Sequence, residues 1–219
     1  MDQPRSPDDD FEINDESQPP TELAMFPLPN VVLFPNMLLP LHIFEQRYRL
    51  MLNDCLVGNR LLGMVLMKKG WEEASGDPEP YDVGCMGRVA KVVKLVNGNM
   101  NILLNGLLRV RVNGYVRLKP YRIASITPLY DDAVDDPEAD ALAQECKANF
   151  LRLVSMRHSE AREFQQLKLL DSPLDIANFL GAHVQADYHV KQMILECDSG
   201  RERLQTIAHI LKSYLGMLN

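Results

Sequence analysis

The sequence has few of the residues and patterns that mark several common classes of protein. Its four cysteines include no C-x-x-C pair, so neither a zinc knuckle nor a disulfide scaffold is predicted. Its longest apolar run, residues 61–67, is far shorter than the roughly 20 residues that cross a membrane. The first residues lack the basic and apolar regions of a secretory signal. We therefore expect a cytoplasmic protein with four buried, reduced thiols and no membrane association.

Sequence motifs for catalysis are also absent. There is no glycine-rich phosphate-binding loop, no G-x-S-x-G elbow and no H-E-x-x-H helix. His42 and Glu45 have the spacing of metal ligands on a helix, and His183, Asp187 and His189 could meet around a helix–helix turn. Neither group has the closely spaced ligand pairs that are typical of metal sites, so we interpret all five as ordinary polar residues. The sequence predicts no catalytic residue, no cofactor and no metal.

The charged residues are unevenly distributed along the chain. Residues 1–22 contain eight acids and one base and so account for the whole net charge of −7, because the other 22 acids and 22 bases balance. Residues 83–130 contain eight bases and no acid, and residues 131–140 contain six acids and no base. The basic segment could bind nucleic-acid phosphates, with candidate contacts at Arg88, Lys91, Lys94, Arg109 and Arg111. Alternatively, its bases are solvated or paired with the acidic segment that follows.

Three regions are predicted from the distribution of apolar residues. Residues 1–22 are polar and acidic with few apolar side chains, so we expect a disordered tail. Residues 23–130 contain short apolar runs separated by prolines and Asn-Gly pairs, which is typical of short strands joined by turns. Residues 131–219 have apolar residues at helical spacing. Strands followed by helices predict an α+β protein, with an N-terminal β-barrel or folded sheet and a C-terminal helical bundle.

Local signals predict where several elements begin and end. Prolines between residues 27 and 40 confine the early strands to short pieces and place the first helix after Pro40. The residues that recur at helical spacing in this first helix are Ile43, Phe44, Arg47, Tyr48, Met51 and Leu52. Ser172 and Ser199 each begin a helix-start pattern with an acid three residues later, and an aspartate cap before Pro137 predicts a third helix start. Three Asn-Gly pairs each predict a tight turn, because both residue types tolerate the positive φ that a type I′ turn requires. These pairs are Asn97-Gly98, Asn105-Gly106 and Asn113-Gly114.

Five segments in succession resemble the Lon protease N-terminal domain, also called the Lon substrate-binding domain. They are FPLPNVVLFPNMLLPLHIFEQRYRLM, VGCMGRVAKV with NGNMNILLNGLLRVRV, KPYRIASI, LLDSPLDIANFLGAH and VKQMILECDSGRERLQTIAHILKSYL, within about residues 23–216. The barrel of that family is similar to the PUA fold. The resemblance thus implies a PUA-like β domain over residues 23–130 and a helical subdomain over residues 131–219, without the ATPase and Ser–Lys protease domains of full Lon protease.

The resemblance implies a non-catalytic module that needs no ATP and binds unfolded or partner polypeptides, alone or as an adaptor for a separate protease. The only tryptophan, Trp71, lies in a polar, acid-rich loop; with Tyr81 it is our candidate for peptide contact, because Trp and Tyr are common interface anchors. RNA binding through residues 83–130 is the alternative, by analogy with PUA-like barrels. Salt distinguishes the two, because phosphate-driven binding weakens steeply as salt concentration rises.

Overall fold

The computed structural model describes residues 19–70, 79–131, 136–156 and 163–217. The strands are β1 Glu22–Leu28, β2 Leu38–Ile43, β3 Leu61–Leu66, β4 Val83–Lys94, β5 Met100–Arg117 and β6 Arg122–Leu129. The helices are α1 Gln46–Val57, α2 Pro137–Met156, α3 Glu163–Leu169, α4 Pro173–His183, α5 Tyr188–Glu196 and α6 Gly200–Gly216. Residues 1–18 of the predicted tail lie outside the described residues, and β1 begins at Glu22.

The six strands form one sheet that closes into a barrel. Their order is β2-β5-β4-β3-β1-β6, and β6 pairs back onto β5, so five strands form the barrel and β2 lies at an edge. Closure depends on the length of β5, whose eighteen residues pair with β2 near their start and with β6 near their end. Pro40 lies in β2, where it is tolerated because an edge strand pairs on one side only. The predicted α+β architecture is confirmed, and α1 is inserted within the strand region.

Only the first of the three Asn-Gly pairs forms a turn. Gly98 has a φ of 79° in the connection between β4 and β5. The predicted turns at Asn105-Gly106 and Asn113-Gly114 are wrong, because both pairs lie inside β5, beside shifts in its register with neighbouring strands. A Cβ at residue 106 would overlap the carbonyl oxygen of Phe34. Glycine at this position therefore allows a close backbone approach within a strand that must run on to close the barrel.

The helix starts follow their sequence signals. Asp136 accepts a hydrogen bond from the amide of Ala139 at 2.8 Å, directly before the proline that opens α2. Ser172 accepts from the amide of Asp175 at the start of α4, and Ser199 accepts from the amide three residues into α6. These side chains satisfy amides that have no partner within the helix, so the three predicted starts are confirmed.

A buried ion cluster joins the barrel to the helices. Arg109 of β5 and Arg203 of α6 both donate from Nη2 to Oδ1 of Asp131, which follows β6, at 2.6 and 3.0 Å. Arg109 also donates to the carbonyl oxygens of Leu195 and Cys197 at the end of α5, at 3.0 and 2.7 Å. The three charged side chains are at most 7% exposed. Among the described residues, Asp131 is the only carboxylate that pairs with these two buried cations.

Replacing Asp131 with alanine is expected to destabilise the protein strongly. The change leaves two buried guanidinium groups without a counter-ion, so the free energy of unfolding should fall by about 3–5 kcal/mol in urea denaturation. Glu145→Ala is the control, because Glu145 pairs with Lys212 at 3.0 Å on the surface and should cost less than about 1 kcal/mol. Similar losses for the two variants would contradict a central role for the cluster.

The two Asn-Gly pairs inside β5 provide a matched test of the close approach at residue 106. Gly106→Ala forces a methyl group against the Phe34 carbonyl and should lower the free energy of unfolding by about 1–3 kcal/mol. Gly114→Ala places the same methyl where no atom lies within 4 Å, so its effect should be much smaller. Equal stability of the two variants in urea denaturation would disprove the steric explanation.

Candidate functional site

An apolar groove lies where β1 and β2 end and α1 begins. It encloses about 310 Å³ and is lined by Phe26, Pro27, Leu28, Pro29, Leu41, His42, Ile43, Phe44, Glu45, Arg47, Tyr48 and Met67. Phe26 and Tyr48 are buried beneath it, with ring centroids 4.3 Å apart. Phe44, in contrast, is 61% exposed. A large aromatic side chain exposed beside an apolar groove is a candidate contact for an apolar partner.

The strands that flank this groove have unpaired edges there. Pairing between β1 and β6 ends at Met25, so residues 26–28 pair only with β3 among the described residues. Within the same described ranges, β2 pairs with β5 alone. An extended polypeptide could therefore place side chains in the groove and direct its backbone groups toward a strand edge.

The charges in the lining are already paired with each other. Arg47 Nε donates to Glu45 Oε2 at 2.9 Å, and the Arg47 guanidinium lies over the Tyr48 ring at 4.5 Å. His42 Nδ1 lies 2.6 Å from Oδ1 of Asn101. The groove thus offers apolar surface rather than a free cation, which favours an apolar side chain over a phosphate as its ligand.

The exposure of Phe44 differs from the sequence prediction, in which Phe44 lies on the apolar face of the first helix. That helix begins at Gln46, so Phe44 lies outside it, directly before the N-cap residue Glu45. An apolar residue at this position often packs against the fourth helical residue, but here that residue is Arg49. The absence of an apolar residue at position 49 is the feature of the sequence that could have predicted the exposure of Phe44.

The two predicted peptide contacts have different outcomes. Trp71 lies outside the described residues. Met67, four residues before it in the chain, lines the groove. The next residue, Lys68, pairs with Glu79 at 2.6 Å. Tyr81 is half-buried and its hydroxyl lies 3.1 Å from Nδ1 of His189 in α5. Tyr81 thus joins the barrel to the helices and is not one of the groove-lining residues.

The predicted nucleic-acid contacts are divided between the surface and the interior. The side chains of Arg88, Lys91, Lys94 and Arg111 are exposed. Arg109 is only 3% exposed and is held in the buried cluster with Asp131, so its assignment as a phosphate contact does not hold. The helices cover the barrel face on which Arg109 lies, which strand alternation alone could not reveal.

The histidines that were considered as metal ligands have other partners. His183 Nδ1 lies 2.8 Å from the carbonyl oxygen of Phe179 and its ring stacks on the Phe179 ring at 4.1 Å. His189 contacts Tyr81. Among the described residues no group of three or more His, Cys, Asp or Glu side chains could hold a metal ion. In the same part of the chain, no helix is long and apolar enough to span a membrane.

The structure defines an α+β domain in which a closed barrel with an apolar groove is followed by a helical bundle. Residues 22–213 match the substrate-binding domain family of the ATP-dependent protease La (LON). The chain therefore belongs to this family, as the resemblance in the sequence indicated.

Curated relatives and solved structures agree with this membership. The chain is 25% identical to the Lon protease of Flavobacterium johnsoniae over 94% of its own length, and 29% identical to that of Anaeromyxobacter dehalogenans over 88%. It spans only about a quarter of these relatives, 26% and 23% of their lengths.

Two solved structures show the same fold. The N-terminal domain of Mycobacterium avium complex Lon protease matches with a TM-score of 0.71 at 15% identity, covering 87% of this chain and 98% of that one. The Lon N-terminal domain protein of Xanthomonas campestris matches with a TM-score of 0.63 at 23% identity, covering 85% and 96%.

The four thiols are free and buried, and we expect them to be unreactive in the folded protein. Burial raises the pKa of Cys55 from 9.0 to about 11 and the pKa values of Cys85 and Cys146 to about 12. Burial also raises the pKa of Cys197. A rise of two to three units lowers the thiolate fraction about 100- to 1,000-fold, so a thiol reagent at neutral pH should label the protein only after urea is added.

The same shifts predict how stability depends on pH. The raised folded-state pKa values stabilise the fold fully below pH 9, and this contribution is lost as pH rises above 9, where unfolded thiols ionise first. Fast labelling of the native protein would contradict both expectations.

Proposed function

We propose that this protein binds exposed apolar segments of unfolded or partner polypeptides in the groove beside Phe44. The observation that carries the proposal is a 61% exposed phenylalanine at a groove whose lining is apolar and whose two charged residues pair with each other. Membership of a substrate-binding domain family supports it. Affinity would come from removing apolar surface from water, with Phe44 as the main anchor.

The bound segment would be extended. The free edges of β1 and β2 offer backbone hydrogen-bonding groups to a strand-like chain, and alternate side chains of such a chain would enter the groove. Trp71 remains a proposed contact because Met67, four residues before it in the chain, lines the groove. Tyr81 remains a weaker proposal, since its hydroxyl already contacts His189.

We further propose that the module is non-catalytic and acts in the cytoplasm, alone or as an adaptor that delivers polypeptides to a separate protease. The family match assigns residues 22–213 to substrate binding, which supports recognition rather than hydrolysis as their role. Four reduced, buried cysteines suit a reducing compartment.

RNA binding is the second candidate, favoured by the exposed bases of β4. Arg88, Lys91 and Lys94 have no ion-pair partner among the residues that the structure describes. Such binding should fall steeply with added salt, whereas apolar peptide binding should barely change.

Replacing Phe44 with alanine is expected to weaken peptide binding. Loss of an exposed aromatic anchor should raise the Kd for a fluorescent peptide of alternating leucine and threonine about tenfold or more, measured by anisotropy. Tyr130→Ala is the matched control, because Tyr130 is 70% exposed and does not line the groove.

The anisotropy measurement is repeated at low and high salt and with a single-stranded RNA in place of the peptide. Unchanged peptide affinity in Phe44→Ala, or an equal loss in Tyr130→Ala, would refute the groove assignment. Binding of the RNA alone, lost at high salt, would favour the second candidate instead.

A further inference from the structure

A second groove lies along a different face of α1, between this helix and the turn that joins β4 to β5. It encloses about 440 Å³ and is lined by Gln46, Arg49, Leu50, Asn53, Lys94, Leu95, Gly98 and Met100. None of these residues lines the apolar groove beside Phe44. We call this second site the basic groove, because both of its charged residues, Arg49 and Lys94, are positive.

The two cations of the basic groove lack acidic partners within the described part of the chain. Neither Arg49 nor Lys94 is in an ion pair there. The two acids of the Glu45–Val57 region have other partners: Glu45 binds Arg47, and Asp54 accepts from the Tyr121 hydroxyl at 2.6 Å. Lys91 and Arg88 extend the positive charge along β4.

Apolar side chains line the same groove as these cations. Leu50 is 43% exposed, Leu95 is half-buried and Met100 is buried at the base of the hairpin. Arg49 spans the groove, since a Cβ at Gly98 would lie 2.9 Å from its Nη1. A matching ligand would combine carboxylates with a few apolar side chains. A nucleic acid would supply the charge but no aliphatic side chain.

The chain itself contains a segment with this composition. Residues 8–16, DDDFEINDE, have six acids and no base, and their only large apolar residues are Phe11 and Ile13. In an extended chain, side chains two residues apart point to the same side, so Phe11 and Ile13 would face one way while Asp10 and Glu12 face the other. We infer that residues 8–16 bind in the basic groove of the same chain.

The strand register shows that this segment can reach the groove. Met25 of β1 lies opposite Gly63 of β3, so the start of β1 is level with Leu61. Leu61 lies opposite Arg88 of β4. The start of β1 is therefore level with Arg88 and two strand spacings, about 10 Å, away from it. Lys94 is six residues further along β4, about 20 Å. One distance runs across the strands and the other along them, so Lys94 lies a little over 20 Å from Glu22. Six or seven extended residues before Glu22 span about 20–23 Å, which is long enough for the C-terminal end of residues 8–16 to reach Lys94.

Binding of this segment would give the uneven charge of the sequence a physical role. The acids of the tail would neutralise the bases of the basic groove and of β4 and exclude other polyanions from them. This inference concerns a different groove from the one proposed for polypeptide binding and does not depend on that proposal.

A spin label on the tail of the full-length protein tests the inference. Ser17→Cys adds a fifth thiol while the four native thiols stay buried, and a nitroxide label on it would lie next to residues 8–16 in the chain. Amide NMR signals of Leu95 and Gly98 should lose more than about half their intensity at low salt and recover near 0.5 M salt, where screening acts within about 4 Å. Signals of Val83 and Gln192, at the opposite end of β4 from Lys94, should be unaffected.

Charge-reversal variants make the test specific. R49E/K94E should abolish the intensity loss at Leu95 and Gly98, whereas R111E/K119E, which reverses two exposed bases elsewhere, should preserve it. Absence of the intensity loss, or its persistence in R49E/K94E, would overturn the inference.

In a mixture of spin-labelled and separately isotope-labelled protein, an intensity loss would show binding to a second copy and would overturn binding within one chain. Recovery of the signals on adding a single-stranded RNA at equimolar concentration would support competition for the groove.

Discussion

Two buried guanidinium groups share one carboxylate at the junction between barrel and helices, and the arrangement of the molecule depends on this contact. Asp131 follows the strand that closes the barrel, Arg109 lies in the long strand beside it and Arg203 lies in the last helix. Arg203 also donates to Asn178 of α4 at 2.8 Å. Burial lowers the pKa of Arg203, and the nearby Asp131 opposes that shift. Buried ion pairs add little net stability on average, so we expect this one to act mainly by favouring a single position of the helices on the barrel.

This junction leaves the opposite part of the barrel free for binding. The first helix separates two surfaces of different chemistry there: Phe44 and paired charges on one side, Arg49 and Lys94 on the other. An apolar groove gains affinity by desolvation and is insensitive to salt, whereas a groove with unpaired cations depends on counter-charge. The two sites can therefore be addressed by different ligands without sharing a side chain.

Much of the fold could be predicted from local signals because those signals are satisfied locally. An oxygen at residue 136, 172 or 199 caps its own helix, and the apolar run at residues 61–67 forms a strand buried along its length. The Asn-Gly pairs at residues 105 and 113 failed because turn preference is weaker than the pairing of β5, which pairs with β2 and β4 at residue 105 and with β6 at residues 112 and 114. The candidate site was harder to predict. Phe44 was assigned to a helix face, and its exposure depends on where two strands lose their neighbours.

The sequence by itself determined the order of strands and helices, the family and the separation of acidic and basic segments. Those properties depend on residues close in the chain or on composition, so periodicity and motifs are sufficient to reveal them. Only the tertiary structure decided which charges are available. Arg109 and Arg111 are two residues apart in one strand, yet the helices cover the first and leave the second exposed. The physical reason is that burial is set by contacts between residues far apart in sequence, here Arg109 with the carbonyls of Leu195 and Cys197.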